Sequence, residues 1–364
     1  MMMPNKQIET AGKEDMTRER ENASRLLCDR KRRGGKLPEN YIRRPSERPR
    51  LTEVVSSRAI PLIDMKDWSS DRPKAIQEIG RACLEYGFFQ IVNHGVPEIV
   101  TKSMIEVSAE FFEMPTEDRI ELYSDDPSKT TRLSTSFKVD REKVFNWRDF
   151  LRLHCYPVKD HVHTWPSKPL HYRKVAITYC TEVRALVLKL LEAISESLGL
   201  EPGFLDKALG NHAQHMAINY YPLCPDPELT FGLPPHSDPN ALTVLLQDEV
   251  SGLQVFKDGQ WIAVNPIPNS FVVNIGDQIQ VLSNSRYKSV LHRAVVNSRK
   301  ARISIPTFYC PSPEAIMAPA PALVDSEQLP LYRSFSYMEY YQKFWSKELQ
   351  GKSCLDYFMR EEPT

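Results

Sequence analysis

The chain has 364 residues, 41% of them hydrophobic, and its 47 basic residues balance its 47 acidic ones. That length accommodates one large or two small domains, and the zero formal charge gives no electrostatic reason to expect nucleic acid or membrane partners. No apolar run approaches the length that spans a bilayer. The seven cysteines form no C-x-x-C pair, which favours reduced thiols and a cytoplasmic protein over a disulfide framework.

Residues 1–36 are rich in charged and polar side chains and have no sustained apolar face, so we predict a disordered tail. The basic run at 30–33 resembles a minimal nuclear-localisation or anion-binding segment. A solvated tail is the simpler interpretation of that run, and a nuclear location beside the cytoplasmic one stays open. The tail has no apolar core of the kind found in a secretory signal.

Residues 37–205 predict an N-terminal region of helices and strands. Apolar residues at helical spacing predict three helices, at residues 74–86, 97–113 and 171–198. Gly87 is a suitable C-cap for the first helix, and residues 88–93 follow it as a strand. Alternation over residues 146–157 is typical of a half-buried strand. His154 in that strand has no partner at ligand spacing, so we interpret it as structural.

The segment 122–137 is polar and rich in turn-forming residues. It can be an exposed loop, or it can be a lid that contributes substrate contacts from Arg132 to Phe137. The sequence does not separate these two readings.

Residues 206–320 change to short apolar strands separated by turns, which indicates a sandwich or barrel. The strands are predicted at residues 214–221, 241–247, 253–256, 260–264, 270–275, 289–296 and 302–309. A short helix is predicted within them at 277–282. Residues 321–364 form a C-terminal helical segment, in which an aromatic-rich helix at 335–349 packs on the barrel.

A metal site is indicated by His236 and Asp238, which lie two residues apart ahead of a β-branched run. Residues i and i+2 of an extended chain point to the same side, so the imidazole and the carboxylate can converge. His292, in another strand-like run, is the best candidate for a third ligand. Two histidines and one carboxylate form the facial triad of non-haem Fe(II) oxygenases, which leaves coordination positions open.

A carboxylate clamp is indicated by Arg302 and Ser304, which share one face of the next strand. A guanidinium offers a bidentate fork to a carboxylate, and a hydroxyl can add one more hydrogen bond. A metal with open positions beside such a clamp favours a dicarboxylate co-substrate that chelates the metal at its other end.

With these motifs in place, the sequence resembles the plant 2-oxoglutarate- and Fe(II)-dependent oxygenases over about residues 37–350. The matching stretches, in order, are residues 87–96, 219–225, 236–238, 274–277, 292–295 and 302–304. The order and spacing of these stretches make the resemblance specific. Ser237 departs from the threonine that is usual in the family.

The resemblance implies mixed α and β structure, with a double-stranded β-helix core of the cupin-like jelly-roll kind and flanking N-terminal and C-terminal helices. It implies that His236, Asp238 and His292 bind Fe(II). It further implies that 2-oxoglutarate is held by Arg302, Ser304, Tyr221 and Asn219. Dioxygen is then the co-reactant, ascorbate the expected reductant, and the protein is expected to be a monomer.

Longer idiosyncratic stretches resemble a narrower group, the downy-mildew-susceptibility type oxygenases that act as salicylate hydroxylases. That group implies conversion of salicylate to a dihydroxybenzoate, with gentisate as the expected 5-hydroxylation product, and a lower salicylate level that dampens plant immunity. A flavone synthase I type of reaction, flavanone to flavone, is the alternative. Candidate substrate contacts are Arg132 for a carboxylate, together with Phe137 and Phe308 for an aromatic ring.

Two other classes of protein fit parts of the pattern. Two histidines and a carboxylate also suit catalytic zinc, so a zinc hydrolase on a similar barrel is one alternative. A non-enzymatic cupin-like barrel is the other. Neither class accounts for Arg302 and Ser304 beside the metal ligands.

Overall fold

The structure is a computed structural model that describes residues 26–28, 35–56, 60–136, 142–346 and 353–360. The strands in these ranges are β1 (Leu62–Asp64), β2 (Phe88–Val92), β3 (Thr131–Thr135), β4 (Asp149–His154), β5 (Ala213–Tyr221), β6 (Leu233–His236), β7 (Leu242–Gln247), β8 (Leu253–Lys257), β9 (Gln260–Ala263), β10 (Phe271–Ile275), β11 (His292–Ala294), β12 (Arg302–Cys310), β13 (Ile316–Met317) and β14 (Phe335–Ser336).

The α-helices in the same ranges are α1 (Asp67–Ser70), α2 (Arg72–Glu85), α3 (Glu98–Glu113), α4 (Val158–His161), α5 (Tyr172–Ser197), α6 (Phe204–Leu209), α7 (Asp277–Leu282), α8 (Tyr337–Ser346) and α9 (Ser353–Asp356). The three long helices confirm the predicted positions to within two residues at each end. Gly87 follows α2 at a φ of 63°, and an added Cβ would lie 2.2 Å from the Lys288 carbonyl oxygen, so only glycine fits this turn.

Eight strands form one sheet in the order β1-β2-β10-β7-β12-β5-β4-β3, and four form a second sheet in the order β6-β11-β8-β9. Apart from the parallel β1–β2 pair, the strand pairs in both sheets are antiparallel. The large sheet takes strands from both the 37–205 and the 206–320 regions. Two facing, mainly antiparallel sheets with helices outside match the jelly-roll prediction.

Alternate residues divide the large sheet into two faces, which we call the convex face and the concave face. The convex face carries Leu151, Ile218, Val244 and Ile305, all buried in the main core, where the apolar stripe of α5 also lies. The concave face is turned toward the small sheet, because Leu245 and Val272 cluster there with residues of β8. The space between the sheets is therefore lined by the concave face.

Two predictions need correction. Residues 131–135 are not part of an exposed loop, because they form β3, a fully buried edge strand paired with β4. The polar side chains of this strand made it look like a loop in the sequence, but they form hydrogen bonds inside the protein. For example, Arg132 Nε donates to the Ser124 carbonyl oxygen at 2.8 Å. In addition, His236 and Asp238 do not share one extended strand as predicted, because His236 ends β6 and Asp238 lies in the connection to β7.

Most of the predicted tail lies outside the described residues. Leu26, Leu27 and Cys28 are described, and all three are buried. Leu27 packs in a cluster with Trp147 and Tyr221, so a short piece of this segment covers one end of the barrel. Among the described residues, no helix is both long enough and apolar enough to cross a membrane.

Candidate metal centre and co-substrate clamp

Two histidines face each other across neighbouring strands of the small sheet. His236 at the end of β6 is paired directly with His292 at the start of β11, and their ring centroids are 4.2 Å apart. Asp238 approaches both, with Oδ1 3.8 Å from Nε2 of His236 and 3.6 Å from Nε2 of His292. Among the described residues, these three form the only group of His, Cys, Asp and Glu side chains that is close enough to hold a metal ion.

Both imidazoles are oriented by backbone carbonyls. Nδ1 of His236 lies 2.8 Å from the Pro234 oxygen, and Nδ1 of His292 lies 3.2 Å from the Val290 oxygen. A proton on each Nδ1 satisfies these contacts and leaves the Nε2 lone pair for a metal. Burial, together with the neighbouring His292, lowers the pKa of His236 to about 3, which favours the neutral ligand form.

The Asp238 carboxylate is held through its other oxygen. Oδ2 accepts hydrogen bonds from Thr243 Oγ1 at 2.6 Å and from Asn274 Nδ2 at 2.7 Å, which leaves Oδ1 toward the histidines. Burial alone would raise the pKa of Asp238, but the two histidines and these two donors lower it. Thr243 and Asn274 are paired across β7 and β10. Sequence reasoning missed Thr243. The available signal was its position near the start of the strand that follows Asp238.

Arg302 and Ser304 lie on the concave face, as the sequence predicted, opposite Tyr221 and Asn219 of β5. The Arg302 guanidinium lies 5.2 Å from the centre of the Tyr221 ring. Its Nε donates to the Val250 oxygen at 3.0 Å, and its Nη2 donates to Gln247 Oε1 at 2.9 Å. These bonds fix the plane of the guanidinium and leave Nη1 for a bound carboxylate.

Gly252 makes this position of Arg302 sterically possible. A Cβ added at residue 252 would lie 2.8 Å from Arg302 Cδ and 2.9 Å from the Val295 carbonyl oxygen. Real Cβ atoms do not approach other heavy atoms that closely, so a side chain here would displace the guanidinium.

A second arginine orders the co-substrate residues, and sequence reasoning missed it. Arg148 is buried; its Nη1 donates to Asn219 Oδ1 at 3.0 Å and its Nη2 to the Ser136 oxygen at 3.1 Å. The fixed amide of Asn219 then directs Nδ2 toward Ser304 Oγ, 3.5 Å away. Gln247 was missed as well; among the described residues its buried Nε2 has no hydrogen-bond partner.

The predicted substrate residues fall in different places. Phe308 is on the concave face, between Thr243 of β7 and His215 of β5, and is partly buried. Arg132 is on the edge strand, with its guanidinium 5.4 Å from the Phe150 ring centre. Phe137 lies outside the described residues.

Two histidines and one carboxylate from a pair of strands and a loop can hold a divalent metal and leave further coordination positions free. The clamp lies on the concave face of the large sheet, which is turned toward the small sheet that carries both histidines. A dicarboxylate lying between the two sheets can therefore bind the metal at one end and Arg302 at the other. This arrangement matches an iron-dependent oxygenase that uses a 2-oxo diacid. In such an enzyme Arg302 binds the diacid, whereas a zinc hydrolase has no need for an arginine at this position.

The chain belongs to the 2-oxoglutarate- and Fe(II)-dependent oxygenase superfamily, whose family model matches residues 212–311. A second model, described as the N-terminal part of non-haem dioxygenases in morphine synthesis, matches residues 60–173. The chain is thus an oxidoreductase whose cofactor is Fe(II) and whose co-substrate is 2-oxoglutarate.

Among its relatives are two proteins of Arabidopsis thaliana. DMR6-like oxygenase 1 is 58% identical over 88% of this chain and 93% of its own length. Downy mildew resistance 6 is 55% identical over 89% of this chain and 95% of its own length. Flavanone 3-dioxygenase 2 of Oryza sativa subsp. japonica is 54% identical over 88% and 94%. The predicted narrower resemblance is confirmed at the level of this group.

A crystal structure of JOX2 in complex with 2-oxoglutarate, iron and JA is similar to this chain, with a TM-score of 0.83 and 38% identity. The similarity covers 92% of this chain and 96% of that one. The match confirms the jelly-roll prediction. The iron and the 2-oxoglutarate bound in that structure agree with the cofactor and co-substrate expected from the sequence.

Proposed function

We propose that this oxygenase hydroxylates salicylate to a dihydroxybenzoate, with gentisate, the 5-hydroxylation product, as the expected outcome. In a plant this reaction would lower the salicylate level and dampen immunity. The observation that carries the proposal is the identity of 55–58% to the DMR6 group over nearly nine tenths of the chain.

We assign the metal to His236, Asp238 and His292, and the distal carboxylate of 2-oxoglutarate to Arg302 and Ser304. The close approach of Nε2 and Oδ1 atoms in the first set, and the shared concave face of the second, support the assignment. When bound, Fe(II) supplies the oxidising chemistry that couples decarboxylation of 2-oxoglutarate to hydroxylation of the substrate.

We assign Asn219 and Tyr221 to positioning of 2-oxoglutarate. Both lie opposite the clamp residues on β5, and Arg148 fixes the amide of Asn219. The protein thereby holds the co-substrate in one orientation before the aromatic substrate enters, which supplies part of the rate through positioning alone.

We assign the aromatic ring of the substrate to the space beside Phe308, and a supporting charge to Arg132. Phe308 is one strand from Thr243, whose hydroxyl holds Asp238, so a ring stacked on it lies near the metal. Phe137 remains a third proposed contact.

Oxidation of a flavanone, of the flavone synthase I type, is the second candidate. The identity of 54% to rice flavanone 3-dioxygenase 2 specifically favours it. A flavanone carries no carboxylate. The salicylate reaction therefore needs a cationic group in the substrate pocket, and the flavanone reaction does not.

We expect the protein to act as a monomer in the cytoplasm, with the nucleus as the alternative location. Ascorbate is the reductant that we expect to keep the iron in the Fe(II) state.

Product analysis by mass spectrometry tests the proposal. The purified protein receives Fe(II), ascorbate and 2-oxoglutarate, with salicylate and naringenin offered in separate reactions. A dihydroxybenzoate formed at the higher kcat/KM supports the salicylate assignment, and a flavone as the dominant product replaces it with the second candidate. Release of succinate without either product rejects both substrates.

A further inference from the structure

Four basic side chains lie on the concave face at the far side of Phe308, and His161 of α4 lies beside them. Arg132 and Arg152 are paired across β3 and β4, and His154 and His215 are paired across β4 and β5. The rings of His154 and His215 are 4.8 Å apart, and His161 lies 5.5 Å from His154 on the other side. Burial lowers the pKa of Arg152, whereas Tyr341 of α8 and Asp126 act on it electrostatically to raise it.

Two buried polar atoms in this cluster have no hydrogen-bond partner among the described residues. They are Nε of Arg152 and Nδ1 of His215. Arg152 Nη2 is engaged, because it donates to the carbonyl oxygens of Pro127 and Lys129 at 2.6 Å each. Those two bonds hold the arginine against the sheet and leave its Nε as a fixed, unused donor.

The unused atom of His215 is a donor too. Burial, with the neighbouring His154 and Arg152, lowers the pKa of His215 to about 3, so the ring is neutral at pH 7. Burial raises the pKa of Cys310 to about 12, so that thiol stays protonated. The thiol lies 3.0 Å from His215 Nε2. We assign the thiol as the donor of this contact, which places the ring proton on Nδ1.

His215 is the donor nearer to the metal ligands, and Arg152 lies one strand further from them. His215 is two strands from Thr243 through Phe308, which is about 10 Å at the usual strand spacing. The Asp238 carboxylate contributes to the pKa of Cys310, so the thiol beside His215 lies within electrostatic range of the metal centre. Ala217, opposite Arg152, has a short side chain that leaves room above the sheet.

We propose that Arg152 and His215 form the subsite that binds the carboxylate of an aromatic acid substrate, with its ring beside Phe308. The subsite offers one charged and one neutral donor to a planar anion, and the charges of Arg152 and the neighbouring Arg132 favour an anion over a neutral group. It places the substrate carboxylate on β4 and β5, closer to the metal than Arg132 on the edge strand. The choice of an aryl carboxylate rests on the proposed function.

The test is a binding measurement that needs no turnover. Salicylate and its neutral amide, salicylamide, are titrated by calorimetry into the protein loaded with Mn(II) and 2-oxoglutarate. We expect the native protein to bind salicylate at least about 10-fold more tightly, since a charge-assisted hydrogen bond contributes that much. Arg152→Gln should bring the two affinities within about 2-fold of each other, and Arg152→Lys should keep part of the preference.

The control is Arg333→Gln, because Arg333 is an exposed arginine paired with Glu339 on the surface. It should leave the preference intact, and titration of 2-oxoglutarate into each Mn(II)-loaded variant checks that folding is undisturbed. Equal affinities in the native protein, or an unchanged preference in Arg152→Gln, would overturn the subsite.

The two proposals fail in distinguishable ways. If salicylate binds through Arg152 but is not hydroxylated, the subsite stands and the proposed function is wrong. If salicylate is hydroxylated and Arg152→Gln keeps the preference, the function stands and the subsite is wrong.

Discussion

The two faces of the large sheet are made from alternate residues of the same strands, yet they differ in kind. On the convex face, Leu151, Ile218, Val244 and Ile305 are buried against helices. On the concave face, the side chains between them are mostly polar and also buried, as with Asn219, Ser304 and Thr243. One alternation therefore encodes both the core and the chemistry.

The two faces resolve their burial differently. Apolar side chains gain stability simply by leaving water, about 25 cal/mol per Å². Buried polar groups gain nothing unless they find partners, and several on the concave face, such as Gln247 Nε2 and His215 Nδ1, have none among the described residues. The concave face therefore carries donors that a bound ligand can satisfy. The predictions below change the metal site first, then the clamp, and finally one residue on each face.

The largest expected effect is at the metal. Asp238→Ala removes the carboxylate between the two histidines, so iron binding and turnover should fall by at least about 1,000-fold. Iron content and succinate release are the measurements. His163→Ala, which changes an exposed histidine, should leave both unchanged. Retained activity in Asp238→Ala would show that the metal has another ligand set.

Next is the clamp. Arg302→Ala should raise the KM for 2-oxoglutarate by about 100-fold, because the charge-assisted hydrogen bonding from Nη1 to the distal carboxylate is lost. Iron binding should persist, since no metal ligand changes. Steady-state kinetics with varied 2-oxoglutarate measures the effect, and an unaltered KM would show that the clamp assignment is wrong.

A smaller effect should follow from Gly252→Ala. The added methyl group would lie 2.8 Å from Arg302 Cδ, so the guanidinium must shift, and we expect the KM for 2-oxoglutarate to rise by about 10-fold. Gly203→Ala is the matched control, because its nearest neighbour, Lys207 Cε, would be 3.8 Å away. Similar kinetics for the two alanine variants would contradict the close-approach argument.

The sequence predicted the features that depend on the alternation and spacing of residues along one segment. Separation in strand-like runs and the family resemblance together predicted the metal ligands His236, Asp238 and His292 and the clamp residues Arg302 and Ser304. The structure brings the three ligands together and places the two clamp residues on the concave face. The long helices were predicted from their apolar stripes, because a stripe at helical spacing specifies both the element and its buried side.

What the sequence did not predict depends on contacts between distant segments. β3 was hidden because its side chains are polar and are satisfied only inside the folded protein. Arg148, Gln247 and Arg152 carry no local signal, since each acquires its role from residues on other strands. The convex face was easier to predict because apolar burial needs no specific partner.

The smallest expected effect on catalysis separates the faces most cleanly, because it uses adjacent residues. Ile305 is fully buried on the convex face and Ser304 is on the concave face. Ile305→Ala should lower the free energy of unfolding by about 2–5 kcal/mol through the cavity it leaves, with the KM for 2-oxoglutarate within about 2-fold of the native value. Ser304→Ala should do the reverse, raising that KM several-fold with little loss of stability, since it removes one hydroxyl from the clamp. Denaturant unfolding and steady-state kinetics on both variants measure the two quantities. A large KM change in Ile305→Ala would mean that packing behind the sheet sets the geometry of the clamp, and the two faces would then have to be treated as one cooperative unit.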